Sequence, residues 1–307
     1  MNNCDGIVLV LGNIDLVELE IFKAVAELGG VTRAAAKLHR VQSNVTTRVK
    51  QLETRLGTKL FVRKHRRLVL SQEGKVLLAY ADRLLRLSAE AESALQSGLP
   101  RGTFELGTLE STAATRLPPL LARYHRSYPE VRIDLVTGTT GALVGKVADR
   151  EIEAAFVAEP FTADGLDSEP VFLEELILIT PPGLERIRTP KDIGHTTVIA
   201  FTTGCSYRRR LEAWLGSAHV VPERIMEFGS YHAIVACVAA GSGIAVVPRS
   251  VLRTVPAAKS VAAHTLPASV AKARTHLVWR QGEKSPALAA LLTEIRRMTR
   301  GARPSTP

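Results

Sequence analysis

Apolar side chains mark out a series of helices at the start of the chain. Leu16, Leu19, Phe22, Val25 and Ala26 recur at helical spacing and stop before Gly29-Gly30, which predicts a first helix. Ala35 and Leu38 predict a second, short helix with Thr32 as its N-cap. Val41, Val45, Val49, Leu52 and Leu56 then follow at steps of 4, 4, 3 and 4, one face of a longer helix closed by Gly57. Between the second and third helices only a tight turn near His39 and Arg40 fits. Helix, turn and longer helix is the helix-turn-helix arrangement.

After Gly74 the chain reaches Leu95 without Pro or Gly. Leu77, Ala81, Leu84, Ser88, Ala91 and Leu95 recur there at steps of 4, 3, 4, 3 and 4, the seam of a helix that pairs with another. A helix of about 20 residues spans roughly 30 Å. Gly98, Pro100 and Gly102 then break it and mark a boundary.

From Arg101 the period changes. Strands are predicted at 104–109, 131–136, 154–157, 176–179, 198–201, 225–228, 244–247 and 276–279. Helices are predicted between them at 117–126, 141–149, 207–215, 231–240 and 286–298. Such alternation argues for parallel α/β sheets with right-handed crossovers, with the chain passing between two halves near Glu159–Phe172 and Pro267–Thr275.

Charge separates the two regions. The chain has 307 residues, about twice the usual domain length, with 46% hydrophobic and 23% charged residues, enough to bury a core. Between Val31 and Leu70 lie Arg33, Lys37, Arg40, Arg48, Lys50, Arg55, Lys59, Arg63, Lys64, Arg66 and Arg67, opposed only by Glu53. That window accounts for the whole formal charge of +10. A basic head on a neutral body suits double-stranded DNA better than a membrane. Gln42, Ser43, Asn44, Thr46, Thr47 and Arg48 occupy the N-terminal half of the third helix, away from its apolar face. Gln and Asn pair with adenine, Arg with guanine and Thr methyls with thymine methyls. Arg63, Lys64, Arg66 and Arg67 precede the alternation Leu68-Val69-Leu70, a β-wing whose bases meet phosphate. Thr32, Arg33 and Lys50 complete the expected DNA-binding set.

From Asp15 to Gly74 the chain resembles the DNA-binding domain of LysR-type transcriptional regulators. Leu16, Leu19, Phe22, Val25, Ala35-Ala36, Leu38-His39, Gln42-Ser43, Val45-Thr46, Gln51-Leu52-Glu53, Leu56-Gly57, Leu60-Phe61, Arg63, Leu70-Ser71 and Gly74 carry the resemblance. Thr46 stands where the family commonly has Ser, Thr47 also departs, and His39 holds a turn position often given to Gly, so no operator preference carries over.

The resemblance implies an α plus α/β architecture: a winged helix-turn-helix over 13–71, a linker and dimerisation helix over 72–98 and an effector-binding region over 101–300. That region has two lobes like those of periplasmic solute-binding proteins, lobe one being 101–170 plus 275–300 and lobe two 171–274. Residues 1–12 form an N-terminal extension and 301–307 a disordered tail. The expected function is sequence-specific transcriptional regulation, with a small-molecule effector held between the lobes. Expected partners are double-stranded DNA, a polar or anionic effector, a second copy in a homodimer or homotetramer, and RNA polymerase for an activator. No cofactor is expected.

In open α/β sheets ligands sit at the carboxyl ends of strands, beside helix N-termini. Hydroxyl-rich turns follow four predicted strands, at 110–112, 137–140, 202–207 and 229–230. The expected effector residues are Ser111, Thr112, Thr139, Thr140, Thr202, Cys205, Ser206 and Tyr207. Arg208, Arg209 and Arg210 are candidate anion partners, at most one or two of them facing the cleft, whereas Glu110 would repel an anion and receive an amine. Cys205 at a helix start beside arginines offers a rival reading, a redox-sensing thiolate of lowered pKa with Cys237 as its partner. A solute-binding module without DNA function is the other alternative.

No P-loop, GxGxxG or Ser-His-Asp spacing supports an enzyme, and His195, His219, His232 and His264 lack metal-ligand spacing. Three scattered cysteines and no signal peptide or apolar span of about 20 residues predict a cytoplasmic chain without disulfides or metal.

Overall fold

The structure, a computed structural model, describes residues 14–64, 67–95, 100–183, 187–194 and 196–301. The extension 1–12, Arg66, His195 and residues 302–307 lie outside the described residues. Gly301, expected in the tail, instead ends the last helix. The chain divides into two compact units, the first ending at residue 96 and the second beginning at residue 97.

The first unit is α1 (Leu16–Leu28), α2 (Val31–Lys37), α3 (Gln42–Leu56), the hairpin β1 (Phe61–Lys64) and β2 (Arg67–Leu70), and α4 (Gln72–Leu95). Asp15 caps α1 by accepting from the Val17 N–H at 3.0 Å, and Gly29 and Gly57 end α1 and α3 in the left-handed conformation. Ile21, Val25, Ala34, Val45 and Val49 form one apolar cluster, and Leu19, Phe22, Leu52, Leu60 and Ala81 another.

Two expectations fail here. α2 begins two residues early, with Gly30 as N-cap, so Thr32 sits in the first turn and caps nothing. Val41 is itself the N-cap of α3; its extended backbone turns the side chain off the helix face and leaves it 69% exposed.

The linker seam also shifts. Ala81 is fully buried and Leu77 packs beside it, so this part of the predicted seam faces the helices of its own unit. Gly74 allows that approach, since a Cβ there would meet the Leu60 carbonyl oxygen at 2.1 Å. The exposed apolar strip on α4 is Val76, Tyr80, Leu84 and Leu87, of which Leu84 belongs to the predicted seam.

The second unit starts with β3 (Gly102–Thr108), α5 (Glu110–Thr115), α6 (Leu117–Ser127), β4 (Val131–Thr137), α7 (Thr140–Ala148) and β5 (Ala154–Ala158). β6 (Leu166–Thr180), β7 (Thr197–Phe201), α8 (Ser206–Gly216), β8 (Arg224–Phe228), α9 (Tyr231–Ala239), β9 (Ala245–Pro248) and α10 (Arg249–Leu252) follow. β10 (Ala262–Thr265), α11 (Ala268–Ala271), β11 (Lys272–Arg280) and α12 (Pro286–Gly301) complete it.

One half is built on β3, which pairs in parallel with β4 and β5, and the other contains the parallel pair β7–β8. β6 joins the halves: its first part pairs with β11 and its end with β9 and β10, all antiparallel. The sheets are therefore mixed, not parallel throughout as expected, because β11 runs antiparallel to both β5 and β6. The passage between halves is made within the unbroken β6 and at the start of β11. Among the described residues no helix is long and apolar enough to cross a membrane.

Candidate nucleic-acid interface and ligand cavity

The outer surface of α3 follows from its apolar face. With Val45, Val49 and Leu52 buried, Gln42, Ser43, Asn44, Thr47 and Lys50 are exposed on the other sides. Thr46 is half-buried and its hydroxyl donates to the Gln42 carbonyl at 2.9 Å. Thr32 and Arg33 are exposed on α2, where Arg33 donates to the Gly29 carbonyl at 3.1 Å. Arg63 lies exposed on β1, and Lys64 faces Arg67 across the hairpin. The Arg67 side chain, like Arg66, lies outside what is described.

The bases are not equivalent. Glu18, 4% exposed, draws the Arg55 Nη2 to both of its oxygens at 2.6 and 2.5 Å, with Arg48 at 3.9 Å. Arg48, half-buried beside that carboxylate, is less available to a base edge than the spacing suggested. Glu53 accepts from the Leu60 and Phe61 N–H groups and from Lys59, pinning the turn into the wing. Burial alone would raise the Glu53 pKa; Lys59 and the two N–H groups outweigh it and hold it below the usual value. Among the described residues Arg40, Lys50, Arg63 and Lys64 are exposed and have no acidic partner. Their field is unneutralised and faces solvent beside the polar surface of α3.

In the second unit the turns after β3, β4 and β7 converge with the start of α9 on one small cavity of about 10 Å³, room for roughly one water. Ser111, Thr139, Thr140, Cys205, Ser206 and Tyr207 all line it, together with Glu110, Phe201 and Tyr231. Thr112 and Thr202 do not: Thr112 is buried within α5, and the Thr202 carbonyl accepts from the Cys205 N–H at 3.2 Å. Phe201 and Tyr231 were not among the expected residues. They stack with ring centroids 4.9 Å apart, and an aromatic residue ending one strand and another opening a helix is the signal that could have found them.

Most of the hydroxyls already have internal partners. Thr140 donates to the Ala158 carbonyl and accepts from the Ala158 N–H, Thr139 caps α7, and Ser206 donates to the Pro160 carbonyl. The three arginines of α8 face elsewhere. Arg208 holds Glu212 and Glu227, Arg209 donates to the Pro160 carbonyl, and Arg210 donates to the Glu159 and Ser269 carbonyls. At most one or two of them were expected to face the cleft, and none lines the cavity; Arg209 comes nearest, donating also to the Ser206 hydroxyl at 3.2 Å.

Cys205 also departs from expectation. Burial pushes its thiol up and outweighs the N–H groups of Arg208 and Tyr207, so the first turn of α8 does not yield a thiolate. Its sulfur lies 3.9 Å from the Tyr231 hydroxyl, and Cys237 is half-buried on α9. Glu110 is raised by burial against the opposing Tyr231 N–H and His232.

Residues 16–75 match the family described as bacterial regulatory helix-turn-helix protein, lysR family, and residues 97–300 match the LysR substrate binding domain. The chain is 40% identical over 269 residues to the uncharacterized HTH-type transcriptional regulator YusT of Bacillus subtilis, covering 86% of this chain and 89% of that protein. It is 37% identical over 286 residues to the HTH-type transcriptional regulator GltR of the same organism, covering 92% and 96%. The fold is similar to that of full-length CbnR complexed with its target DNA, with a TM-score of 0.68, 23% identity, and 92% and 99% of the two chains covered.

Proposed function

The chain belongs to the LysR family of bacterial helix-turn-helix regulators, and on that premise we propose how it reads DNA and answers a ligand. The N-terminal half of α3 enters the major groove, where Gln42, Ser43, Asn44 and Thr47 meet base edges. Arg63 and Lys64 on the wing, with Arg40 and Lys50, hold phosphate and supply affinity without sequence information. The carrying observation is the exposed polar face of α3 together with Arg40, Lys50, Arg63 and Lys64, which have no acidic partner among the described residues.

Two copies associate along α4. Val76, Tyr80, Leu84 and Leu87 form an apolar strip that would remain in water in a lone chain, and pairing it places two heads on one duplex. A second pairing, to a tetramer, bends the DNA between two sites. Bending costs several kcal/mol, so a modest coupling from the ligand shifts the bound geometry and with it the recruitment of RNA polymerase.

The effector site is the cavity between the turns after β3, β4 and β7, between lobes that correspond to 101–170 plus 275–300 and to 171–274. Its ligand is small and polar. The redox reading has less support, since Cys205 is 6% exposed and held as a thiol.

Selection of genomic fragments by the purified full-length chain tests this function. Enrichment of a shared sequence with two-fold symmetry is expected; recovery of fragments in proportion to their length would overturn it.

A further inference from the structure

The cavity holds a chemical asymmetry that bears on what enters it. Among the described residues lining it, Glu110 is the one with an ionisable carboxyl, and no Lys or Arg lines it. Its buried Oε2 has no hydrogen-bond partner. Tyr207, 2% exposed and also in the lining, has a hydroxyl without a partner; Ser111 and Thr275 are its polar neighbours. A buried polar atom left without a partner carries a desolvation cost, so each of the two favours an incoming donor.

Apart from the Tyr207 O–H, which can donate as well as accept, the groups an anion would need are already taken. The three arginines of α8 are bound outside, Thr139 caps the start of α7, and the N–H of Tyr231 lies beside Glu110. The N–H groups of Tyr207 and Arg208 lie beside the Cys205 sulfur. The stacked rings of Phe201 and Tyr231 add the negative π faces that attract a cation. Carboxylate acceptor, hydroxyl acceptor and aromatic face are the complement of an ammonium, which has three donors and no acceptor.

We infer that the cavity receives the ammonium head of a small primary amine, with Glu110 as its counter-charge, Tyr207 as its second acceptor and the Phe201–Tyr231 pair against its face. This rests on the reading of the cavity as the effector site. The present volume of about 10 Å³ admits a head group and no more. The carbon chain behind the head therefore enters as the lobes part, which couples amine binding to the lobe arrangement.

The test uses the full-length chain and three probes of similar size: n-propylamine, propionamide and sodium propionate. Thermal melting is followed against probe concentration at constant ionic strength and pH, in the wild type, Glu110→Gln and Tyr207→Phe. Both substitutions conserve volume, and the melting curve without probe reports whether each variant folds. Only the amine is expected to shift the melting temperature saturably. Its apparent affinity should fall about tenfold or more in Glu110→Gln, because a charge-assisted bond is lost, and less in Tyr207→Phe. Saturable stabilisation by propionate or propionamide that Tyr207→Phe weakens would overturn the ammonium assignment and leave the cavity as the effector site. A shift that neither substitution alters would remove the cavity from that role. No shift with any probe overturns the ammonium assignment, while fragment selection still decides whether the protein is a regulator.

Discussion

The N–H of Gly141 donates to the carbonyl of Gly204 at 3.3 Å, tying the turn after β4 to the turn before α8. No side chain separates the two turns at this point. Gly204 has φ +93°, and a Cβ there would stand 2.7 Å from the Thr139 Oγ1. Gly204→Ala should therefore cost about 1–3 kcal/mol through backbone strain and steric conflict, read as a lower urea midpoint of the second unit. Adding Thr139→Ala should recover part of the loss. A Gly204→Ala chain as stable as the wild type would contradict this account of the closure.

Glu18 and Arg55 make a second test, in the helix-turn-helix unit. Arg55→Met leaves a buried carboxylate whose remaining basic partner among the described residues is Arg48, at 3.9 Å. The expected loss is about 2–4 kcal/mol, seen as earlier denaturant unfolding of the first unit. Adding Glu18→Gln removes the stranded charge and should restore about half. If the double variant is worse than Arg55→Met alone, the charge is not the cause.

His264 should make the second unit sensitive to acid. The Ile187 N–H donates to its Nδ1 at 3.4 Å, and its Nε2 lies 2.9 Å from the Thr180 Oγ1, so the neutral ring donates to Thr180. Burial lowers its pKa below 6.5. Below about pH 6.5 the unfolded chain therefore binds more protons than the folded one, and stability present above that pH is lost as pH falls toward the folded-state pKa. Melting temperatures of the wild type should drop from pH 7.5 to 5.5 more steeply than those of His264→Gln. Parallel slopes would show that His264 does not carry the effect.

The two kinds of DNA contact should separate by salt. Asn44→Ala is expected to lose about tenfold or more in affinity for the selected site while leaving random DNA unaffected. Arg63→Ala should weaken both alike and reduce the salt slope by about one. Equal salt slopes in the two variants would remove the division between base reading and phosphate holding. Arg48→Ala, expected from the sequence to relax base preference, should have a smaller effect because Glu18 competes for the guanidinium.

What could be read in advance follows local physics. The helices of the first unit were legible because their buried residues recur at a single period and glycines end α1 and α3. The errors there lie at helix starts: Thr32 and Val41 depend on which residue takes the cap, a matter of one backbone angle. β6 was visible only at Leu176–Ile179, where both faces are buried; its earlier part carries Asp167, Glu169 and Glu174 and loses the apolar signal. The seam on α4 was misplaced at its start, because Leu77 and Ala81 serve the core of their own unit, and helical spacing alone cannot say which stripe faces inward.

At the ligand cavity the turns were legible from their hydroxyls, and six of the expected residues line it. Where the arginines point was not. Arg208, Arg209 and Arg210 find acceptors at Glu227, Pro160 and Glu159, far away in sequence, and only the fold brings these together. The same long-range packing reverses the expected acidity of Cys205, since a helix start favours a thiolate only when solvent or a cation reaches it.

Footprinting of the full-length protein on the DNA flanking its own gene, at about 0.15 M salt and with sites from genomic selection as a second target, tests the central claim most directly. The account predicts protected half-sites in major grooves separated by whole helical turns, with protection that shifts when an effector is added. Binding to selected and random DNA within tenfold of each other, without a bounded footprint on either target, would contradict it.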